Sequence, residues 1–234
     1  MSNQSYMEIF MENLQNKSYR YERKYIIEFN FLSTFLSNIL SLNFITSFPN
    51  RRVNNIYIDD YNFSSLRDNF DGLSKRNKYR IRWYGDPFKI SDKTLEVKSK
   101  NEFLNSKTFF KFKSLNLSHI ENIDEFFIKF KKRSKDHEFE GKLEFVEGKR
   151  PTLFNSYERL YFENKIQNIR LTIDKDLFYY SPITNLSFKE KFIIVEIKYD
   201  KDVNFINSLS KLKYTRYSKY VKGTSQTTFS GINY

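Results

Sequence analysis

Six segments of this chain alternate charged and apolar residues with the two-residue period of a β-strand, and the charged set is mostly Arg and Lys. Residues i, i+2 and i+4 of a strand share a face, so Arg20, Glu22 and Lys24 point one way and Tyr21, Tyr25 and Ile27 the other. In the same manner Lys78, Arg80 and Arg82 alternate with Tyr79, Ile81 and Trp83, and Glu96, Lys98 and Lys100 with Leu95 and Val97. Arg170, Thr172 and Asp174 alternate with Ile169, Leu171 and Ile173, and Glu196 and Lys198 oppose Val195, Ile197 and Tyr199. The segment around Arg159 is less regular, because Glu158 shares the other face with Leu160 and Phe162. Together the six faces hold ten bases (Arg20, Lys24, Lys78, Arg80, Arg82, Lys98, Lys100, Arg159, Arg170, Lys198) against four acids (Glu22, Glu96, Asp174, Glu196).

The apolar faces can be buried under helices and loops, whereas the charged faces must meet water or a ligand. On an open sheet the bases would lie on a solvated outer surface. Two features favour an enclosed face. Arg presents a planar fork that grips phosphate through two hydrogen bonds, and single carboxylates among bases suit a divalent cation beside bound phosphate. The expected fold is therefore α+β, an antiparallel closed β-barrel with flanking helices and a charged, hydrophilic lumen shaped for a linear polyanion.

The length of 234 residues suits one large domain, and 25 Phe with 17 Tyr supply enough apolar surface for a sizeable core. Forty Lys and Arg against 28 Asp and Glu give a net charge of +12, which favours anionic partners. The absence of Cys excludes disulfides and thiolate metal sites and agrees with a cytoplasmic location. No run approaches the roughly 20 apolar residues of a membrane span, and the start, MSNQSYMEIF, lacks a basic segment followed by an apolar one. A soluble, unprocessed chain is expected.

Between the strands, Ser5 and Glu8 stand in capping-box spacing ahead of Met7, Phe10, Met11 and Leu14, so residues 1–18 are read as a helical N-terminal extension and 19–234 as a single domain. Leu32, Phe35, Leu36, Ile39 and Leu40 recur at helix spacing behind Asn30, a candidate N-cap. Ile56 to Asp59 reads as a strand, Ser64 to Phe70 as a helical turn stopped by Gly72, and Gly85, Asp86 and Pro87 as the turn of a hairpin. Ser118 and Glu121 open a helix through Ile123, Phe127 and Phe130, with a Lys-rich end at Lys129, Lys131, Lys132 and Arg133. Strands are expected at Lys142 to Val146, Asn155 to Phe162, Ile169 to Asp174 and Phe192 to Tyr199, then a helix from Val203 to Leu212 and a basic tail.

In order along the chain, Glu22 and Lys24, then K-x-R-x-R-W-Y-G (Lys78 to Gly85), E-x-K-x-K (Glu96 to Lys100), Y-x-R-x-Y-F (Tyr157 to Phe162), R-x-T-x-D (Arg170 to Asp174), E-x-K-Y (Glu196 to Tyr199) and S-K-Y (Ser218 to Tyr220) resemble the VTC domain. That is the catalytic domain of the vacuolar transporter chaperone complex, within the triphosphate tunnel metalloenzymes. Ile56 to Gly72 is similar to the family's strand and turn ahead of the paired arginines, and the resemblance runs from about Tyr19 to Gly223. It implies a polyphosphate polymerase of stand-alone bacterial type that transfers the γ-phosphate of ATP to inorganic polyphosphate with Mn²⁺ or Mg²⁺ and releases ADP.

The same resemblance implies the site. Arg80, Arg82, Arg159 and Arg170 would clamp phosphate oxygens, and Lys24, Lys98, Lys198 and Lys219 would add point charges, Lys219 lying off the strands near one mouth. Lys78, Lys100, Tyr157 and Arg20 would contact the chain. Glu196 is the metal ligand, with Glu22 and Glu96 as further candidates. Phosphoryl transfer needs positioning and neutralisation of charge, and with phosphate as the acceptor it needs no Ser, Cys or His nucleophile. Arg20 stands where the wider superfamily carries the first Glu of E-x-E-x-K, which disfavours hydrolase members. A tripolyphosphate or nucleoside triphosphate hydrolase in the same fold stays open, as does a non-catalytic module binding polyphosphate or nucleic acid. Specific nucleic-acid recognition is not expected, because the aromatics lie mainly on the opposite parity from the bases. The phosphate-sensing domain and membrane spans of the eukaryotic complex have no counterpart here, so a membrane-protein partner for export is not legible in the sequence. His119 and His137 read as surface residues, Trp83 as core, and Asp174 either as a metal ligand or as the partner of Arg170.

Overall fold

The alternating segments form strands. The computed structural model describes residues 21–88, 92–101, 104–113, 117, 119–133, 146–200 and 212–230. Among these, ten strands make one antiparallel sheet: β1 (Tyr21–Glu28), β2 (Ile45–Asp60), β3 (Lys75–Tyr84), β4 (Asp92–Asn101), β5 (Leu104–Lys113), β6 (Lys149–Asn164), β7 (Ile169–Tyr180), β8 (Ser187–Lys189), β9 (Phe192–Tyr199) and β10 (Lys213–Thr215). The helices are α1 (Leu32–Ser41), α2 (Ser64–Phe70), α3 (Ile123–Arg133) and α4 (Lys219–Thr227). The strand order is β10-β1-β9-β7-β6-β2-β3-β4-β5, with β8 on β7.

The sheet curls. β1 and β3 are separated by four strands in that order, yet Lys24 of β1 donates to the carbonyl of Tyr217 (3.2 Å) and Lys78 of β3 to the hydroxyl of the adjacent Ser218 (3.0 Å). The charged faces thus look into one concavity. Among the described residues β5 and β10, the two ends of the path, are not paired with each other, so the ladder is open where the sequence led us to expect a closed barrel. β10 is only three residues long and offers a short edge.

The convex side is apolar and covered by helices. Ile56, Ile81, Trp83, Leu95 and Phe154 pack with Ile123, Phe126, Phe127 and Phe130 of α3. Tyr25, Ile27, Leu171, Ile173, Val195 and Ile197 pack with Phe35 and Ile39 of α1. Each fully buried side chain of this kind stabilises the fold by about 1.5–3 kcal/mol, and that burial fixes which face of each strand points inward. A third cluster is built by Val53, Tyr57, Leu153, Tyr157 and Ile194 with Tyr217 and Tyr220.

α2 and α4 are fastened through buried groups. Asp59 accepts from the backbone N–H of Ser65 (3.0 Å) and Leu66 (2.9 Å) and from the Tyr220 hydroxyl (2.7 Å), joining β2, α2 and α4. Tyr217 donates to Glu190 (3.0 Å) and lies 2.8 Å from the Tyr179 hydroxyl. At Gly223 a Cβ would stand 2.4 Å from Tyr179 Cδ1 and 2.7 Å from Leu153 Cδ2, so only glycine lets α4 approach β6 and β7 this closely.

Several local expectations need correction. Asn30 does not cap α1: it lies inside a 3₁₀ turn (Phe29–Phe31), because the chain begins to coil directly after Glu28, and the residue ahead of α1 is Phe31. The expected basic tail contains α4, whose N-cap is Ser218. The strand β5 was not anticipated. The expected helices at Ser5 to Asn16 and Val203 to Leu212, nearly all of the strand from Lys142, Ser118 and His137 lie outside the described residues. Trp83 is fully buried and His119 exposed, as read from the sequence. Gly72 (φ +71°) follows α2 and Gly85 (φ +89°) follows β3, both at the places foreseen for them.

Candidate active site

Cross-strand register decides which charges meet. Arg80 lies opposite Glu96, Arg159 opposite Asp174, Lys24 opposite Glu196, and Glu22 opposite Lys198. Opposite residues on one face have Cβ atoms about 5 Å apart, so each of these four acids is delivered to a base.

The first group is arginine-rich. Arg80 Nε donates to Glu96 Oε2 (2.7 Å) and its Nη2 contacts the same oxygen, while Arg82 Nη1 lies 3.7 Å from Oε1. Arg82 is also held by Asn55 Oδ1 (2.7 Å), and Asn55 donates to Asn155 Oδ1 (2.7 Å). Arg159 grips Asp174 with both ends of its fork, at 2.5 and 2.8 Å, and Lys219 Nζ reaches the same carboxylate at 2.6 Å. Arg159 and Lys219 both lie over the Tyr157 ring, 5.2 and 4.7 Å from its centroid. Burial alone would raise the Asp174 and Glu96 carboxyls, but Arg159 with Lys219, and Arg80 with Arg82, hold them below the usual range. Burial likewise works to raise the Tyr157 phenol, and Arg159 and Arg82 reverse it.

The second group mixes Lys and Glu. Lys24 lies 3.0 Å from Glu22 and 3.9 Å from Glu196, and Lys198 lies 2.8 Å from Glu196 and 3.9 Å from Glu22. Burial pushes both carboxylates up, and repulsion from Glu196 adds to it at Glu22. The lysines outweigh both effects, holding Glu22 low and, with Arg159 and Lys219, Glu196 well below its ordinary value. Thr172, opposite Glu196, has a buried hydroxyl without a hydrogen-bond partner, and so has the side-chain nitrogen of Asn155. Both lie on the concave face, where a bound ligand or water would satisfy them.

Beyond Arg80 the face continues as cations. Asn69, Arg76, Lys78, Lys98 and Lys100 line a small, open cavity. Burial together with Lys24, Lys98, Arg76 and Arg80 lowers the Lys78 ammonium to about 7, and burial with the neighbouring lysines also lowers Lys98.

The geometry thus gathers Lys24, Lys78, Arg80, Arg82, Lys98, Lys100, Tyr157, Arg159, Lys198, Lys219, Glu22, Glu96 and Glu196 on one concave surface. Two expectations change, those for Asp174 and Arg170. Asp174 pairs with Arg159 and Lys219 in place of Arg170, because Arg159 faces it across the ladder. Arg170 is exposed at the end of its strand, opposite Lys198. Lys219 is nearly buried at the start of α4 and points at Asp174. Arg20 lies outside the described residues. Sequence reasoning missed Asn55, Asn155, Ser218 and Arg76 as members of the site. The first two could have been found by extending the inward parity of β2 and β6.

Among the described residues no three His, Cys, Asp or Glu side chains converge as a ready-made metal-ligand set. Mg²⁺ and Mn²⁺ at phosphate sites need only one or two carboxylates, the substrate's oxygens supplying much of the rest. Glu196 and Glu22, with the unpartnered Thr172 hydroxyl opposite Glu196, fit that requirement. Glu96 fits it poorly, since its oxygens are engaged by two guanidinium groups.

A sequence model described as the VTC domain matches residues 19–228. Among solved structures, a candidate adenylate cyclase from Bacillus halodurans aligns at 12% identity over 81% of this chain and 87% of that one, with a TM-score of 0.49. A candidate adenylate cyclase from Vibrio parahaemolyticus aligns at 11% identity over 88% and 98% (TM-score 0.47). A Hippeastrum protein, described as a candidate adenylyl cyclase with a dominant triphosphatase activity, aligns at 13% identity over 88% and 95% (TM-score 0.44). No curated protein gives a significant match.

Proposed function

The chain belongs to the VTC domain family, and from that premise we propose that it is a polyphosphate polymerase working inside a basic tunnel formed by the concave face. The observation that carries this reading is the length of the cationic lane. Arg76, Lys78, Arg80 and Arg82 share one face of β3, about 20 Å at ~3.3 Å per residue, and the lane leads from the arginine group into the cavity lined by Lys98 and Lys100. A triphosphate alone would leave much of it unused, whereas an ATP and an acceptor chain laid end to end would fill it.

In this reading Arg80, Arg82, Arg159 and Lys219 hold the triphosphate of ATP, and their fixed forks stabilise the charge that spreads over the transferring phosphoryl group. Lys24, Lys98 and Lys198 neutralise the acceptor chain, and Lys78 and Lys100 hold its far part. A terminal oxygen of that chain attacks the γ-phosphorus as the bond to the β–γ bridging oxygen breaks, so the chain grows by one phosphate and ADP leaves. Glu196 and Glu22 would hold Mg²⁺ or Mn²⁺, which supplies charge neutralisation and alignment of phosphate oxygens when bound. Closure of the sheet into a full barrel around the chain belongs to the same proposal.

A hydrolase acting on tripolyphosphate or nucleoside triphosphates is the second reading, favoured by the Glu22 and Glu196 carboxylates standing together beside the lysines. It requires only that water stand where the acceptor phosphate would. Purified protein given ATP, Mn²⁺ and a short polyphosphate primer, with products resolved by size, separates the two. A ladder lost in Arg80→Ala and in Glu196→Ala supports the polymerase. Orthophosphate without a ladder supports the hydrolase, and absence of turnover points to a binding module.

A further inference from the structure

The two ends of β3 offer different chemistry on the same face. At its start, the cavity residues Asn69, Arg76, Lys78, Lys98 and Lys100 include no aromatic ring. Eight residues further on, about 26 Å at ~3.3 Å per residue, Tyr84 ends the strand beside Arg51 of β2. The Arg51 guanidinium lies 4.6 Å from the centroid of the Tyr84 ring, 5.0 Å from that of Tyr161 and 5.7 Å from that of Phe48. Phe48 meets Tyr161 edge-on at 5.8 Å.

By strand parity Arg51, Tyr84 and Tyr161 belong to the inward face, in line with Val53, Arg82 and Arg159. Arg51 lies directly opposite Arg159, the arginine bound to Asp174. Arg51 itself has no carboxylate partner among the described residues, and its charge rests on π-faces. Phe48 and Tyr84 remain 55% and 42% exposed, so the cluster is open to solvent instead of serving as core. Planar rings flanking a planar cation, at the rim of a phosphate-binding lane, match the demands of a flat heteroaromatic ligand that carries a phosphate tail.

We propose that Phe48, Arg51, Tyr84 and Tyr161 form the seat of a nucleobase. A nucleoside triphosphate would then enter at this end with its phosphates directed inward past Arg159 and Arg82, leaving the ring-free cationic end to the phosphate chain. The inference rests on the reading of the concave face as a phosphate-binding lane and adds a direction to it. Donor and acceptor approach from opposite ends, and selection for a nucleotide over a bare polyphosphate as donor is made at the aromatic end.

The test compares two probes by calorimetry, the β,γ-imido analogue of ATP and inorganic tripolyphosphate, which has the phosphates without the base. The quantity read is the ratio of their affinities. In Tyr84→Leu, and separately in Phe48→Leu, the preference for the nucleotide should fall about tenfold relative to the unsubstituted protein, the loss expected for one stacked base. Both positions are exposed, so a folding defect in one variant leaves the other to decide. An unchanged ratio in both variants overturns the seat while leaving the phosphate lane intact. Failure of the unsubstituted protein to bind either probe overturns the lane and the seat with it.

Discussion

The two charged groups of the concave face solve the same electrostatic problem differently. On β3, β4, β6 and β7, guanidinium forks grip carboxylates directly across the ladder, as Arg159 does with Asp174 and Arg80 with Glu96. On β1 and β9, two lysines are shared between two glutamates at distances spread from 2.8 to 3.9 Å. A bidentate pair fixes the orientation of a planar cation, whereas an ammonium is a point charge on a flexible stem. The arginine side is therefore a preorganised cradle whose acids serve its bases. On the lysine side each acid is shared between two ammonium groups, and in the proposed function these acids would exchange those partners for a metal ion.

The sharpest way to break this contrast is to neutralise one acid on each side. Glu196→Gln should lower metal-dependent turnover about a thousandfold or more, as expected when a charge-stabilising group at the reacting centre is removed, with tripolyphosphate still bound. Glu96→Gln should cost only about tenfold, because it loosens Arg80 and Arg82 without touching the metal. Steady-state kinetics with direct binding reads both, and equal losses would mean that the two sides do not differ. Arg159→Lys tests the fork itself. With the charge kept and the bidentate grip on Asp174 lost, kcat/KM should fall roughly a hundredfold; a change under threefold would make the fork irrelevant.

Smaller effects concern what holds the face in place. Gly223→Ala forces a methyl against Tyr179 and Leu153, an overpacking worth about 1–3 kcal/mol. At roughly 2–4 °C per kcal/mol for a chain of this size, thermal melting should show a drop of several degrees. Because Lys219 rides on the same helix, activity should fall with it. The gentlest probe is Lys78. Its folded pKa, lowered to about 7, lies below the ordinary lysine value of 10.5, so the unfolded chain binds more protons between those values and this group makes stability rise with pH from about 7 to about 10.5. A polyanion reverses the preference, and binding at pH 8 should take up a proton. Calorimetry in buffers of different ionisation enthalpy measures that uptake, which Lys78→Met should abolish.

Much of this was legible in the sequence. The inward parity of Lys24, Arg80, Lys98, Arg159 and Glu196 follows from period-two alternation, and Phe192–Tyr199 was delimited by its residues alone. Pairing was not legible. Arg159 and Asp174 meet through a register that includes an irregularity between Ser156 and Glu158, and periodicity carries no register information. β5 escaped notice although Lys107, Lys111 and Lys113 share one parity and Thr108, Phe110 and Phe112 the other, because Phe109 interrupts the charged set; the strand is paired with β4. α4 escaped because Gly223 and its threonines are poor helix formers. Its packing against β6 and β7, and the hydrogen bond of Tyr220 to Asp59, stabilise what propensity does not. The aromatic seat around Arg51 needed Tyr84 and Tyr161, from strands on either side of β2, to be seen together.

A crystal structure with tripolyphosphate and Mn²⁺ would show whether the concave face receives a linear polyphosphate. Phosphate oxygens are expected on Arg80, Arg82, Arg159 and Lys219, with the metal between them and Glu196. Tripolyphosphate bound instead to the convex side, for example at Lys129 to Lys132 of α3, with the concave face unaltered, would contradict this expectation.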